Sequence, residues 1–352
     1  MEERIKNAYR LLENKKLDGL LVSFSPNISY LTSTVSRDAF LLVARKKNIY
    51  FTDARYSEEA KRSLKQCEIK QINGSFYKTL LDSCLNLKIK QLGFEEKHLS
   101  FAGYNKLKTE FNDRITLQPT QGIIEELRKV KSADEFKKIK KATQIAIEAF
   151  RFIRKLILPG KTELQIAGEL ERFIRNKGAS GAAFEIIVAC GPNSSFPHHL
   201  TSNRKIKRDD LVLIDLGVDY LGYKSDLTRV FFLGKIKVLV KEVYQIIKEA
   251  QAEAIKRIKP GIATKIIDAA GRDFIAKKGY GKAFSHSLGH GVGLEVHEAP
   301  GISGKDANIL KEGMVLTIEP GIYLPGRFGI RIEDMVRVTR KGVEYLSGSL
   351  NQ

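Results

Sequence analysis

Two segments of the sequence each carry a candidate pair of acidic residues within apolar, β-branched runs that are typical of strands. They are LVLIDLGVDYLGYKSDLTRVFFLG (211–234), with Asp215 and Asp226, and MVLTIEPGIYLPGRFGIRIEDMVRV (314–338), with Glu319 and Glu333. Turn signals near the middle of both segments predict two β-hairpins. Folding the first between Tyr220 and Leu221 places Asp215 opposite Asp226. Folding the second about Gly326 places Glu319 opposite Glu333. Opposed side chains of an antiparallel pair have Cβ atoms about 5 Å apart on one face.

Carboxylates placed side by side repel each other, and burial makes their ionisation still less favourable. A cation must therefore neutralise them, and Arg331, two residues from Glu333, is one candidate. Divalent metal ions are the stronger candidate, because four carboxylates offer hard oxygen ligands that can bridge two ions, and one imidazole completes the set. The alternative is that Asp215 and Glu319 only cap turns at strand ends.

Five of the six histidines fall between residues 198 and 297, which favours a functional site over scattered core positions. His290 is the strongest candidate ligand, because the glycines on both sides of it permit close backbone approach. The same glycines argue against a helical ligand pair formed with His286. Further candidates for the site are His198, His286 and His297, whereas His98 and His199 are expected to be structural.

A chain of 352 residues exceeds the size of a typical single core, which favours two domains. Residues 1–121 alternate helical and strand-like stretches, and they are predicted to form a mixed sheet flanked by helices. A Gln-Pro-Thr-Gln-Gly turn (118–122) marks the expected end of this domain. Residues 122–352 hold the candidate ligands and are predicted to form the catalytic domain.

The predicted catalytic domain contains an internal repeat. The segments PGKTELQIAGELERFIRNKG (159–178) and PGIATKIIDAAGRDFIAKKG (260–279) align with an offset of 101 residues. Each copy follows a long predicted helix, the first of which begins with the capping box Ser132 to Glu135. Each copy also precedes a glycine-rich stretch with histidine and then strands, so the pattern predicts one duplicated αα-plus-sheet unit. The alternative is a chance match, since Pro-Gly before a helix is common.

Composition narrows the class of protein. The formal net charge is +19, but the lysines are spread along the chain without interleaved aromatic residues, so a solvated surface is favoured over nucleic-acid binding. No apolar run is long enough to predict a membrane span, and the segment MEERIKNAYR is not expected to be a secretory signal. The three cysteines have neither metal-type nor disulfide-type spacing, which favours a reducing cytoplasm.

Several segments resemble the Xaa-Pro peptidases, the family of proline dipeptidase and aminopeptidase P. They are GPNSSFPHH (191–199), VLIDLGVDYLGYKSDLTR (212–229), HSLGHGVGLEVHE (286–298), EGMVLTIEPGIY (312–323), GIRIEDMV (329–336) and, in the N-terminal domain, TDARY (52–56). The resemblance covers essentially the whole chain. It implies an α/β (α+β) fold with a creatinase-like N-terminal domain and a duplicated pita-bread catalytic domain. It also implies a homodimer that hydrolyses proline-containing peptides.

The resemblance further implies two divalent ions per chain, manganese or cobalt and sometimes zinc. Their ligands would be Asp215, Asp226, His290, Glu319 and Glu333. Asp226 and His290 would bind different ions, and Asp215 and Glu333 would help to bridge the pair.

Other roles follow from the same resemblance. Glu319 would also transfer the proton, His198 would bind the developing oxyanion, and His297 would contact the substrate near the scissile bond. Arg331 would orient the carboxylates. The remaining residues implied around the ligands or the substrate are Thr228 and His286.

One departure from the family pattern concerns the substrate. Family members often carry arginine after the proline of an HE-x-P segment, where it can meet a substrate carboxylate, and this chain has Gly301 there. The sequence therefore favours an Xaa-Pro aminopeptidase acting on longer peptides, with the Xaa-Pro dipeptidase as the alternative. Creatinase-like hydrolysis is disfavoured by the full ligand set, and methionine aminopeptidase by the N-terminal domain. A non-catalytic pita-bread protein that binds nucleic acid or protein is a distant alternative.

Overall fold

The computed structural model describes residues 2–348, and the chain divides into two compact units, Met1–Arg128 and Lys129–Gln352. The predicted domain boundary after residue 121 assigns the helix Ile123–Arg128 to the second domain, whereas the structure includes this helix in the first unit. Within residues 2–348, none of the helices combines the length and the apolar character that crossing a bilayer requires.

The first unit is a six-stranded mixed sheet with helices. The helices are α1 (Glu2–Asn14), α2 (Ser25–Thr32), α3 (Ala54–Ser63), α4 (Phe76–Asn86), α5 (Phe101–Phe111) and α6 (Ile123–Arg128). The strands are β1 (Gly19–Val22), β2 (Ala39–Ala44), β3 (Ile49–Thr52), β4 (Glu68–Gln71), β5 (Gln91–Glu95) and β6 (Thr116–Thr120), in the order β4-β3-β2-β1-β5-β6. The pairs β1–β2 and β2–β3 are antiparallel and the other three are parallel. The sheet expected from the alternating sequence pattern is thereby confirmed.

The prediction of a turn at residues 118–122 is wrong for residues 118–120, which belong to a strand. Strand β6 runs through residue 120 and pairs in parallel with β5, with Pro119 opposite Phe94. A proline is tolerated there because β6 is the edge of the sheet, where no further strand needs its missing N–H group. The chain bends only afterwards, at Gly122, which has a φ of 66°.

The second unit repeats one arrangement of two helices and a sheet. Its helices are α7 (Ala133–Ile153), α8 (Glu163–Asn176), α9 (Val238–Lys256) and α10 (Thr264–Lys277). The strands of its first half are β7 (Gly181–Ala182), β8 (Ile187–Cys190), β9 (Leu211–Leu216), β10 (Val218–Tyr220), β11 (Tyr223–Lys224) and β12 (Leu227–Phe232). Those of its second half are β13 (Gly289–Gly291), β14 (Glu298–Ile302), β15 (Val315–Ile318), β16 (Gly321–Leu324), β17 (Phe328–Arg331), β18 (Asp334–Thr339) and β19 (Gly342–Tyr345). Single 3-10 turns occur at Gly191–Ser195 and Gly281–Ala283.

Helix positions and core packing confirm the duplication. The bounds of α8 and α10 differ by the same 101 residues as the repeat in the sequence. One apolar core gathers α7 and α8 against β8, β9 and β12, and a second gathers α9 and α10 against β15 and β18. Helix α7 also begins as predicted, with both hydrogen bonds of a capping box between Ser132 and Glu135. Each helix pair therefore has its own core, to which strand residues of the other half also contribute, such as Val315 in the first and Val230 in the second.

The two predicted hairpins differ in how well their register was anticipated. The second is confirmed: Ile318 pairs with Asp334 and Gly321 with Arg331, a register centred on Gly326. The first is wrong by two residues, because Asp215 lies opposite Thr228 instead of Asp226.

The cause is a two-residue turn at the tip of the first hairpin. Leu221 and Gly222 both have positive φ values, 52° and 84°, as a type I′ turn requires. Leucine rarely adopts this conformation, so its presence gave no warning of the turn. A shift of two residues keeps side chains on the same face of a strand, and Asp226 therefore stays on the face of Asp215.

Candidate metal centre

Five acidic and histidine side chains meet where the strands of the two halves end. They lie at the end of β9 (Asp215), before β12 (Asp226), in β13 (His290), after β15 (Glu319) and before β18 (Glu333). Their ligand atoms lie within 4.8 Å of one another in two groups, Asp215 with Asp226 and Glu333, and His290 with Glu319 and Glu333. A third group joins Asp226 and His290 to His297. Glu333 belongs to the first two groups, a position from which one carboxylate can contact two ions.

His290 is oriented by its backbone surroundings. Its Nδ1 lies 3.1 Å from the Gly291 carbonyl oxygen, and its Nε2 lies 3.2 Å from Glu319 Oε1 and 3.6 Å from Asp226 Oδ2. A proton on Nδ1 would leave the lone pair of Nε2 available to a metal ion. The strand approaches so closely that a Cβ atom on Gly289 would lie 2.0 Å from the Thr317 carbonyl oxygen. Glycine before His290 is therefore required by packing.

Three buried carboxylate oxygens of the cluster have no hydrogen-bond partner among the described residues: Asp215 Oδ1, Asp226 Oδ1 and Glu333 Oε1. The second oxygen is satisfied in two of these residues, by Arg331 Nη2 at 2.6 Å for Asp215 and by the Thr228 hydroxyl at 2.8 Å for Glu333. Buried polar atoms are almost always paired. Unpaired anionic oxygens beside one imidazole form a donor set that fits divalent cations.

The electrostatics of the cluster lead to the same conclusion. Burial, followed by repulsion from neighbouring carboxylates, raises the pKa of Asp226 and of Glu333 well above the usual range. Burial alone would also raise the pKa of Glu319, but His290 and other positive charges nearby lower it to about 2. Divalent cations would reverse the repulsion that makes ionisation of the first two acids costly.

Arg331 and Thr228 connect the two hairpins behind the candidate ligands. The buried guanidinium binds Asp215 and also donates from Nε to the Thr228 hydroxyl at 3.0 Å. That hydroxyl in turn donates to Glu333. Arg331 Nη1 donates to the Pro197 carbonyl oxygen at 3.2 Å. One side chain thus supports a carboxylate from each half and the loop that carries His198.

A cavity of about 500 Å³ opens onto the candidate ligands, a volume within the range of small-molecule sites. His198 and His297 line it and are exposed, and the His297 ring lies 4.3 Å from the His290 ring. His286 also lines the cavity, but its Nε2 is engaged with the Tyr323 hydroxyl at 3.1 Å. His199, which was expected to be structural, lies 2.8 Å from a buried Glu163 oxygen.

Comparisons with known proteins agree with this geometry. Residues 137–340 match the model of metallopeptidase family M24, and residues 4–130 match the creatinase/prolidase N-terminal domain. The chain belongs to metallopeptidase family M24. It is therefore a metal-dependent peptidase with a creatinase-like N-terminal domain and a pita-bread catalytic domain.

Relatives of this M24 peptidase match it over nearly its full length. It is 37% identical over 349 residues to the Xaa-Pro dipeptidase of Pyrococcus horikoshii, covering 99% of this chain and 97% of the relative. The structure of an Xaa-Pro dipeptidase from Bacillus anthracis is 38% identical, with a TM-score of 0.96 and coverage of 100% and 98%. An X-Pro aminopeptidase from Thermotoga maritima is 37% identical, with a TM-score of 0.89 and 97% of each chain covered.

Sequence reasoning missed Tyr323 as a part of the site. Its hydroxyl accepts a hydrogen bond from Arg331 Nη1 at 2.7 Å and also lies beside His286. Burial raises the pKa of Tyr323 to about 12 despite the nearby Arg331, so the phenol stays protonated near neutral pH. A signal was available, because Tyr323 lies two residues from Gly321, the register partner of Arg331, and residues two apart share a face.

Lys131 was missed as well, and nothing in the local sequence distinguishes it from surface lysines. Its ammonium lies 2.9 Å from a carboxylate oxygen of Glu298, the residue after His297, and both side chains are almost fully buried. Only packing made this pair visible.

Proposed function

We propose that this chain is an Xaa-Pro dipeptidase that holds two divalent ions on Asp215, Asp226, His290, Glu319 and Glu333. The observation that carries the proposal is the set of three unpaired, buried carboxylate oxygens beside one imidazole at the floor of a cavity of about 500 Å³. The sequence favoured the aminopeptidase because of Gly301, but the relatives named as dipeptidases support the dipeptidase better.

Divalent ions held by these residues would lower the pKa of the attacking water and polarise the substrate carbonyl. The chain's own residues would do the rest. The Glu319 carboxylate takes the proton of the attacking water and delivers it to the proline nitrogen as the peptide bond breaks. His198 donates a hydrogen bond to the negative charge that develops on the carbonyl oxygen. His297 contacts the substrate beside the scissile bond, and Arg331 keeps Asp215 oriented throughout.

Aminopeptidase activity on longer peptides is the second candidate, favoured by the surroundings of Gly301. A Cβ atom there would lie 3.0 Å from Asp306 Oδ2, so an acidic group occupies the place where an arginine side chain would begin. Among the described residues that line the cavity, Arg331 is the one arginine, and its guanidinium already binds Asp215 and Tyr323. The exposed His198 and His297 of the cavity lining are then the candidates to meet a dipeptide carboxylate.

The test is hydrolysis of Ala-Pro against Ala-Pro-Ala by protein stripped with EDTA and reloaded with manganese or cobalt. A higher kcat/KM for the dipeptide supports the dipeptidase, and the reverse order supports the aminopeptidase. Asp226→Ala and His290→Ala should each abolish metal-dependent turnover. Near-normal turnover in both variants contradicts the proposed ligand set.

The choice of manganese or cobalt over zinc, the homodimer and the cytoplasmic location belong to the same proposal. The free state of all three cysteines is consistent with a reducing compartment. Metal analysis after purification and sedimentation of the protein in solution test the first two.

A further inference from the structure

Helix α8 begins with a carboxylate that is fully buried and heavily hydrogen-bonded. Glu163 Oε1 accepts from the Cys190 backbone N–H at 2.8 Å and from Asn193 Nδ2 at 3.0 Å. Its Oε2 accepts from the Ser202 backbone N–H at 3.0 Å and hydroxyl at 2.6 Å, and lies 2.8 Å from His199 Nε2. Five contacts to one carboxylate exceed what capping a helix requires.

The partners of Glu163 bracket His198. Cys190 and Asn193 precede His198, and His199 and Ser202 follow it. The Glu163 carboxylate therefore contacts the loop 190–202 on both sides of His198. A second contact fixes the loop at the residue before His198, where the Pro197 carbonyl oxygen accepts a hydrogen bond from Arg331. Among the described residues, the His198 side chain itself makes no hydrogen bond that would hold it over the cavity. Its position depends on the loop.

The second half of the duplication also has a hydrogen-bonding side chain at this helix position. Thr264 stands 101 residues after Glu163, at the start of α10. Its hydroxyl donates to Asp306 at 2.9 Å, and Asp306 accepts from the Gly301 N–H at 3.1 Å. Gly301 lies in β14, the strand that follows His297. In the second half the first turn of α10 is therefore linked through Asp306 to Gly301, four residues after His297, a less direct link than that of Glu163 to the segment around His198.

We infer that Glu163 is a positioning residue that sets the loop 190–202 so that His198 faces the candidate metal ligands. The inference rests on the proposed function, in which His198 stabilises the oxyanion. Glu163 does not contact the substrate; it acts through His198 alone.

Glu163→Gln tests the inference at nearly constant volume. Whichever way the amide is turned, its NH2 group faces a backbone N–H, that of Cys190 or that of Ser202, and two donors cannot bond to each other. The loop then loses a backbone hydrogen bond to residue 163 on one side of His198. A matched control is Glu169→Gln, which alters an exposed carboxylate of the same helix that pairs with Arg172.

The first measurement is hydrogen–deuterium exchange of the metal-free protein, which does not depend on activity. Amides of the 190–202 segment should exchange faster in Glu163→Gln than in the wild type and in Glu169→Gln. Unchanged exchange of this segment overturns the inference. If Glu163→Gln does not fold, Ser202→Ala should give a smaller increase in the same segment. It removes the 2.6 Å hydroxyl contact with Glu163 and the hydrogen bonds that this hydroxyl accepts from the Arg204 N–H at 3.2 Å and from Asn193 Nδ2 at 3.5 Å, but keeps the backbone contact of Ser202 with Glu163.

The second measurement is a double-mutant cycle on Ala-Pro hydrolysis. Glu163→Gln should lower kcat by about 10- to 100-fold, as loss of outer hydrogen bonds typically does, with little change in KM. In the His198→Ala background the same substitution should lower kcat by less than about threefold, because the effects of coupled residues are not additive. Equal losses in both backgrounds overturn the inference. A wild-type enzyme without activity on any Xaa-Pro peptide refutes the proposed function, while the exchange experiment still tests the role of Glu163.

Discussion

Exchanging the Thr228 hydroxyl for a methyl group should weaken metal binding. The side chain is fully buried, donates to Glu333 Oε2 at 2.8 Å and accepts from Arg331 Nε at 3.0 Å. Valine has the same shape and removes both bonds. A hydrogen bond to a charged group is worth about 1.5–3 kcal/mol, and about 1.4 kcal/mol is a factor of ten in an equilibrium constant. Thr228→Val should therefore raise the Kd for manganese by about 10- to 100-fold.

Calorimetric titration of manganese into EDTA-treated protein measures this change. Thr228→Ser is the matched control, since it keeps the hydroxyl and loses only the methyl group, and its Kd should stay within about threefold of the wild type. The reasoning fails if valine leaves the Kd unchanged, because Glu333 would then need no support from Thr228. It also fails if serine weakens binding as much as valine, because packing would then be the cause.

Three further outcomes are expected. Lys131→Met should lower the free energy of unfolding by about 3–5 kcal/mol in urea denaturation, because Glu298 loses a buried cation. The control Lys140→Met, at an exposed pair with Glu344, should lower it by less than about 1 kcal/mol. Similar losses in the two variants contradict the prediction. Burial raises the pKa of Glu163, but its hydrogen bonds together lower that pKa by more than burial raises it. The net pKa therefore lies below the ordinary 4.5. The stability that ionised Glu163 contributes is then present above pH 4.5 and lost as the pH falls through its folded pKa, and the difference in unfolding free energy between metal-free wild type and Glu163→Gln should shrink only below pH 4.5. Manganese at about 100 times its Kd should stabilise the wild type by about 2.7 kcal/mol, and an unchanged melting temperature would argue against the site.

The two hairpins show why one register was predictable and the other was not. Gly326, with a φ of 70°, marks the centre of the second turn, and glycine is the residue expected at such a position. In the first hairpin the left-handed conformation begins at Leu221, which carries no such signal. The error of two residues left the donor chemistry intact, because side-chain direction alternates with a period of two.

The sequence by itself determined the elements of this protein and the donors that they carry. Helical and strand periodicity, a capping box and a repeat of 101 residues are local properties that the order of residues encodes directly. Only the tertiary structure decided which side chains support those donors. Arg331 reaches Asp215 across 116 residues and Thr228 reaches Glu333 across 105. Contacts at such separations depend on turn geometry and on the packing of two separate cores, which no window of the sequence contains. The same holds for Glu163, an ordinary acid at the start of a helix until the loop around His198 folds onto it.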